Sequence, residues 1–423
     1  MRPMRLWKSV SLAFILSVVW ITFFLSISIA FGQTKASGVK PPIKIGYIAA
    51  FTGPYAGPSI DMRDGFLLYL SQKGNQFAGR QVEVLIEDDE AKPDVGLTKA
   101  KRLVERDKVD LLCGIVHSGV ALAIAEYVKG QKIPLMIHNA AADALTQQRF
   151  NQYIFRSSFS SSQLSHPLGE WAYMKGFRKA AIVSSDYTAG WEYSGGFART
   201  FTEKGGRIVQ EIYLALGTPD PGPFITAIKT EVDMVYAFHA GADALRFVRR
   251  FDEYGMKKRA VLFGAGPLTH DSILPEEGDS ALGILCSNTY TTVLDNPANK
   301  AFKNAVLKKY NRPATSFTLL GYTGGTMLEK ALESIRGNIE DRGSFIKALE
   351  KVEILDTPRG PVRFDKYHNI VVDNYMCEVK KIDGEIVNSV VDTQKDVSQF
   401  WKWSPEEFMK MPTYISMKGK WVK

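Results

Sequence analysis

The sequence predicts an α/β fold made of two doubly wound halves, and three observations carry that expectation. Short runs rich in Ile, Val, Leu and Phe alternate with helical stretches from residue 43 to residue 287. Most of the β-like runs end in small or turn-forming residues that lead directly into a helix, which is how parallel βα units read. The rhythm pauses once, at the serine-rich link 157–165, and starts again at Phe177. With 423 residues, 45% of them hydrophobic and 23% charged, the chain has globular composition and room for two domains.

The first strand, 43–48, is apolar and rich in β-formers: Ile43, Ile45, Tyr47, Ile48. It breaks into Thr52-Gly53-Pro54-Tyr55-Ala56-Gly57-Pro58, turn chemistry around one aromatic ring. A helix follows, with Asp61 and Asp64 near its positive end and Phe66, Leu67 and Leu70 facing the core. Ligands of open parallel sheets sit beyond the carboxyl ends of the strands, so residues 51–58 form a candidate ligand wall. They do not form a phosphate loop. The glycine–lysine pattern is missing, and Pro54 and Pro58 remove two amide donors.

A second strand, 81–86, ends in Glu87-Asp88-Asp89-Glu90. The spacing is wrong for a calcium loop, so the acids are read as helix-capping or solvated. Pro93 opens a helix running to about residue 106. The third strand, 109–115, runs through His117 and Ser118 into a helix over 120–130. Ser118 stands where a hydroxyl and free amides receive an anion, or where it simply caps the helix. His117 reads equally as a ligand contact or a loop residue. A fourth strand, 132–137, leads into His138-Asn139-Ala140-Ala141-Ala142, small enough for backbone to approach a ligand, though a plain connector reads the same way.

The second half repeats the pattern. Strands are expected at 179–183, 207–213, 233–238, 260–263 and 283–287, with helices at 192–204, 224–229 and 245–254. From residue 297 the chain turns helical, at 301–310 and 317–335. Two strands follow at 364–367 and 374–381, and an aromatic run at 399–403 fades into a Met/Lys tail expected to be mobile.

Residues 1–32 carry a basic start at Arg2, Arg5 and Lys8, an apolar run over 10–30 and small residues at a cleavage position, the pattern of an export signal rather than a retained anchor. Cys113, Cys286 and Cys377 are odd in number and widely spaced, which argues against a disulfide framework or a zinc site and for buried core thiols. The net charge of +8 is spread without a basic stripe, so no nucleic-acid partner is expected. No nucleophile elbow, dinucleotide fingerprint or metal-ligand spacing occurs, and the chain is not expected to be an enzyme or to hold a cofactor or metal.

In order, IKIGYIAAFTGPYAG, IEDDEAKPDVGLTKAKRLVE, LLCGIVHSGVALAIAEYV, IPLMIHNAAADALT, VSSDYTAGWEYSGGFARTFTEKGGRIV and DMVYAFHAGADALRFVRRFDEYGM resemble the branched-chain amino-acid (Leu/Ile/Val-binding) type of periplasmic substrate-binding protein, including its aromatic-acid-binding branch. The resemblance implies the type I periplasmic binding protein fold, two doubly wound parallel-sheet lobes joined by a multi-strand hinge. It implies a first lobe of 41–157 plus 288–357, a second of 158–287 plus 358–395, and a C-terminal tail of 396–423. It further implies a periplasmic, monomeric receptor that traps a small molecule and delivers it to an ABC permease.

Carried over by position, the implied ligand-binding set is Phe51, Thr52, Tyr55, His117, Ser118, Asn139, Ala140, Ala141, Asp186, Tyr187, Trp191, His239, Ala265 and Tyr322. The acid that pairs with a ligand ammonium in amino-acid-binding relatives would fall in Gly264-Ala265-Gly266-Pro267, where there is none. A buried ammonium without a carboxylate is costly. The expected ligand is therefore an aromatic carboxylate. A branched-chain amino acid, an amide or urea, or a ligand-sensing role in signalling remain the alternatives.

Overall fold

The structure, a computed structural model, describes residues 40–422; the export segment read in 1–32 lies outside them. Among the described residues no helix is long and apolar enough to cross a membrane.

The first lobe is built on a six-stranded sheet. β1 (Ile43–Ala49) lies inside it and turns through Gly53–Tyr55 into α1 (Ala56–Gln72). β2 (Gln76–Phe77), β3 (Arg80–Asp88), α2 (Pro93–Lys101), β4 (Leu111–Gly114), α3 (Ser118–Gln131), β5 (Leu135–Ile137) and β6 (Ile154–Arg156) follow. The strand order is β2-β3-β1-β4-β5-β6, parallel except for the β2–β3 pair. α2 continues as a π-helical turn over Arg102–Arg106, where the sequence predicts plain helix.

Both faces of this sheet are covered, and the strands show why they read as nearly continuous apolar runs. Leu111 and Cys113 join the core on one face with Ile43, Ile45 and Phe66. Leu112 joins the other, with Ile48, Val120 and Ile124. Successive side chains point to opposite faces, so each strand needs an apolar residue at nearly every position.

The second lobe begins with α4 (Ser161–Met174), then β7 (Lys179–Ser185), α5 (Thr188–Glu203), β8 (Arg207–Leu214), β9 (Met234–Phe238), α6 (Ala242–Glu253), β10 (Val261–Ala265) and β11 (Leu285–Asn288). The chain then returns to the first lobe as α7 (Pro297–Tyr310), α8 (Ser316–Ser334) and α9 (Arg342–Glu350), placing Leu328 and Phe345 in the first core. β12 (Glu353–Ile354), β13 (Val362–Phe364), β14 (Ile370–Ile382) and β15 (Glu385–Val397) complete a nine-stranded second sheet.

That sheet corrects the expectation of parallel strands throughout. β11 pairs antiparallel with β14, and β14 pairs antiparallel with β13 and β15. β15 escapes sequence reading because EIVNSVVDTQKDV mixes polar and apolar residues, and the strand is largely half-exposed. The described part of the C-terminal tail, 396–422, is also not loose: Phe400, Phe408, Tyr414 and Trp421 are buried in the second-lobe core with Phe197 and Phe201.

α1 and α8 pack with glycine against backbone. A Cβ added at Gly65 would lie 1.8 Å from the Thr318 carbonyl oxygen, and one at Gly321 would lie 1.8 Å from that of Met62. Gly321→Ala should therefore force the helices apart and lower stability by about 2 kcal/mol, read as a lower urea midpoint with unchanged slope. An unchanged midpoint would show that the helices separate at no cost.

Three segments connect the lobes, and Arg359, in the third, touches the other two. Fully buried, it donates from Nη2 to Ser157 O at 2.9 Å, and from Nη1 to Ser158 O at 3.2 Å and Thr289 Oγ1 at 3.3 Å. β14 itself serves both lobes: Ile370 and Val372 lie in the first core and Met376 in the second.

Candidate functional site

A cavity of about 360 Å³ opens between the lobes, at the carboxyl ends of their parallel strands. From the first lobe come Tyr55 after β1, His117 and Ser118 after β4, Asn139 and Ala141 after β5, and Phe317 at the start of α8. From the second come Ser185 at the end of β7 and Tyr187 after it, Phe238 at the end of β9, Asp243 and Arg246 on α6, and His270 after β10. Phe159, in the first connecting segment, and Tyr193, on α5, extend the aromatic wall.

Ser118 is the first residue of α3, with His117 in extended conformation before it. The opening amides of a 14-residue helix face no helical carbonyl and carry partial positive charge. Ser118 Oγ accepts from Ala142 N at 3.2 Å, which ties the β4 and β5 exit loops together. Asn139 is oriented in the same way, by Nδ2 donating to Val116 O at 3.0 Å. Gly119 leaves room for the histidine ring, since a Cβ there would come within 3.0 Å of His117 Cε1.

His117 and Tyr187 face each other across the cleft. Their rings are tilted by only 8° with centroids 6.5 Å apart, and Tyr55 packs against His117 at 5.7 Å. Burial lowers the pKa of His117 and raises those of Tyr55 and Tyr187, so the imidazole is neutral and both phenols keep their protons at neutral pH. His270 packs on Phe317 with ring centroids 4.1 Å apart and planes tilted by 37°, and is likewise held neutral by burial. The Ser272 amide donates to His270 Nδ1 at 3.1 Å, which puts the proton of the neutral ring on Nε2. His117 Nδ1, His270 Nε2 and Arg246 Nε have no hydrogen-bond partner among the described residues.

Six of the residues expected at the site line this cavity: Tyr55, His117, Ser118, Asn139, Ala141 and Tyr187. The other eight lie off its walls, for identifiable reasons. Phe51 packs on the first core, beneath the Arg63 guanidinium. Thr52 donates from Oγ1 to Asp88 at 2.8 Å, on the exposed side of its loop. Ala140 is fully buried in the core, and Ala265 ends β10 inside the second-lobe core. Asp186 and Trp191 face the C-terminal segment, where Lys418 pairs with the carboxylate and lies 4.7 Å from the indole. His239 bonds Ser185 Oγ at 2.9 Å and packs on Phe247, behind the wall. Tyr322 turns away along α8 to bond Gln72. The acidic run is not simply solvated either: Asp88 accepts from Phe51 N at 2.9 Å and braces the 51–58 loop.

Sequence reading missed Phe159, Tyr193, Phe238, Asp243, Arg246, His270 and Phe317 as lining residues. A signal existed for two of them. Asp243 and Arg246 are one helical turn apart at the start of the helix after β9, the side of the sheet where ligands sit. Asp243 supplies the carboxylate absent from 264–267, but it is balanced: it accepts from Gly217 N at 2.9 Å and pairs with the Arg246 guanidinium.

Residues 42–385 match the family model described as periplasmic binding protein. The chain is 31% identical over 371 residues to Leu/Ile/Val-binding protein homolog 6 of Brucella melitensis, covering 86% of this chain and 94% of that protein. It superposes with a TM-score of 0.82 on an ABC transporter substrate-binding protein from Sphaerobacter thermophilus, at 34% identity over 85% of this chain and 99% of that one. It is also similar to a solute-binding protein of an ABC transporter from Rhodopseudomonas palustris BisB5, solved in complex with 3,4-dihydroxybenzoic acid. There the TM-score is 0.81 and the identity 31%, over 85% of this chain and 99% of that one.

Proposed function

The chain belongs to the periplasmic binding protein family, as an ABC-transporter substrate-binding protein of the Leu/Ile/Val-binding type, and from that premise we propose that its ligand is an aromatic carboxylate held between the lobes. Proteins of this family bind small molecules and deliver them to ABC permeases; they are transport receptors, not enzymes.

The observation that carries the ligand class is the ring pair of His117 and Tyr187, parallel at 6.5 Å on opposite lobes. A flat ring between two others needs roughly 7 Å, twice the van der Waals spacing of carbon atoms. The present spacing is within about half an ångström of that requirement, so one ring from each lobe would grip the ligand and binding would hold the two lobes in one closed arrangement. Its carboxylate is assigned to the amides and hydroxyl at the start of α3, with Arg246 as the cation on the opposite lobe. The cavity of about 360 Å³ exceeds the ~150 Å³ that holds benzene, leaving room for the carboxylate and ring substituents. The resemblance to a receptor solved with 3,4-dihydroxybenzoic acid supports the same class.

Asp243 favours one competing reading, a branched-chain amino acid whose ammonium would displace Arg246 from it. A thermal-shift panel separates the two. Benzoate or a hydroxybenzoate at about a hundred times its Kd should stabilise by about 2.7 kcal/mol, with no shift from leucine or urea. Ser118→Ala should weaken the aromatic acid about tenfold or more, the scale of a lost hydrogen bond to a charged group. A leucine shift without a benzoate shift would overturn the proposal in favour of the amino acid.

A further inference from the structure

The three cysteines look unrelated in sequence, but the fold pairs two of them. Cys286 on β11 and Cys377 on β14 are direct partners in antiparallel register, and both are buried. Directly opposed residues on antiparallel strands project to the same face, with Cα atoms roughly 4.5 or 5.5 Å apart depending on the hydrogen-bonding position. Both values fall within the approximately 4.4–6.8 Å that a disulfide spans, so the pairing register brings the two positions within bridging range. The two thiols share a small cluster with Tyr375, flanked by Leu294 and Val390. The neighbouring Cys286 thiol, and then burial, hold the Cys377 thiol above its usual range. Cys113 belongs to the first-lobe core, on a different sheet, and is out of reach of both.

We propose that Cys286 and Cys377 are an oxidisable pair that closes into a cross-strand disulfide between β11 and β14. Two S–H bonds break and one S–S bond forms. The two electrons and two protons pass to a protein or small-molecule disulfide, which leaves as two thiols after a mixed-disulfide intermediate. The compartment implied by the family is one where such oxidants are maintained. At 0% and 1% exposure the sulfurs are out of reach of any oxidant once the sheet is complete, so the bond forms during folding, before β14 is covered. The same burial then shields it from reductants. The closed loop contains α7, α8 and α9, the whole return of the chain to the first lobe. A staple there restricts the unfolded chain and fixes the register of two strands that begin or end at the hinge.

The test begins with the full chain expressed with its own leader and recovered from the exported fraction. Half is analysed directly. The other half is reduced in denaturant and refolded with or without oxidised glutathione. Thiols are alkylated under denaturing, non-reducing conditions and counted by mass, and the linked peptides are mapped. The expected result is a single alkylated thiol, at Cys113, and a Cys286–Cys377 peptide pair in both the exported and the oxidatively refolded protein. The oxidised form should melt about 5 °C above the form refolded without oxidant. Cys286→Ser/Cys377→Ser should melt at one temperature whether or not glutathione is present. Three alkylated thiols after oxidative refolding, glutathione adducts on Cys286 or Cys377, or a bridge to Cys113 would each overturn the inference. None of these readouts depends on which ligand the cleft holds.

Discussion

Arg156→Ala is expected to lower the free energy of unfolding by about 4 kcal/mol, the range found when one member of a buried charged network is removed. Arg156 ends β6 and is fully buried. Its Nε donates to Asn369 Oδ1 at 2.7 Å, Nη1 to Ala142 O at 2.7 Å, and Nη2 to Thr146 Oγ1. Those acceptors belong to the loop after β5 and to the segment entering β14, so one guanidinium joins the first lobe to a connection with the second. Burial lowers its pKa to about 10, which leaves it cationic at neutral pH, where it opposes the buried carboxyls of Asp143 and Glu192. Alanine would strand the acceptors and leave both acids without that cation. Arg156→Lys should recover less than half of the loss, because an ammonium cannot address three fixed directions. Urea unfolding of both variants provides the check. A loss below about 1 kcal/mol in the alanine variant would show that water replaces the guanidinium.

The second large effect concerns a buried carboxyl. Glu277 closes the short helix Leu274–Glu277, is 2% exposed, and has neither oxygen hydrogen-bonded among the described residues. Burial raises its pKa from 4.5 to about 8. Below about pH 4.5 the group is protonated in both folded and unfolded chains and contributes no pH-dependent loss. Between 4.5 and 8 the unfolded chain ionises while the folded one holds its proton, so this group's contribution to stability falls steadily. Above 8 the loss is complete, on the order of 5 kcal/mol at about 1.36 kcal/mol per unit. Glu277→Gln should therefore change little at pH 5 and should raise the melting temperature at pH 8.5 relative to the parent protein. Equal shifts at both pH values would mean that the carboxylate is solvated when charged.

The parallel strands of the two sheets were mostly legible because burial on two faces forces continuous apolar runs, as in Leu111-Leu112-Cys113, whereas half-exposed β15 was not. The exit loops were legible because a parallel sheet places its ligands at one edge, and Tyr55, His117, Ser118, Asn139 and Tyr187 all line the cleft. Side-chain direction was not legible. Phe51 and Tyr55 stand in one loop, yet one packs inward and the other lines the cavity. Asp186 and Trp191 are claimed by Lys418, a contact that spans 232 positions of sequence from Asp186. The pairing of Cys286 with Cys377 was hidden in the same way, since register between remote strands leaves no local trace.

The packing of α8 on α1 also governs the order in which the molecule can assemble. Tyr69 on α1 bonds Glu329 on α8 across 260 positions of sequence, and Gly65 lies directly against Thr318. The face of the first-lobe sheet that α1 covers therefore lacks its second helix until most of the chain is available. Bringing such distant segments together costs loop-closure entropy before any contact rewards it, and folding rates fall as contacts become less local. The lobe that begins first is thus the one that cannot finish until late, and the protein is expected to acquire its native state slowly, as a unit, rather than lobe by lobe along the chain.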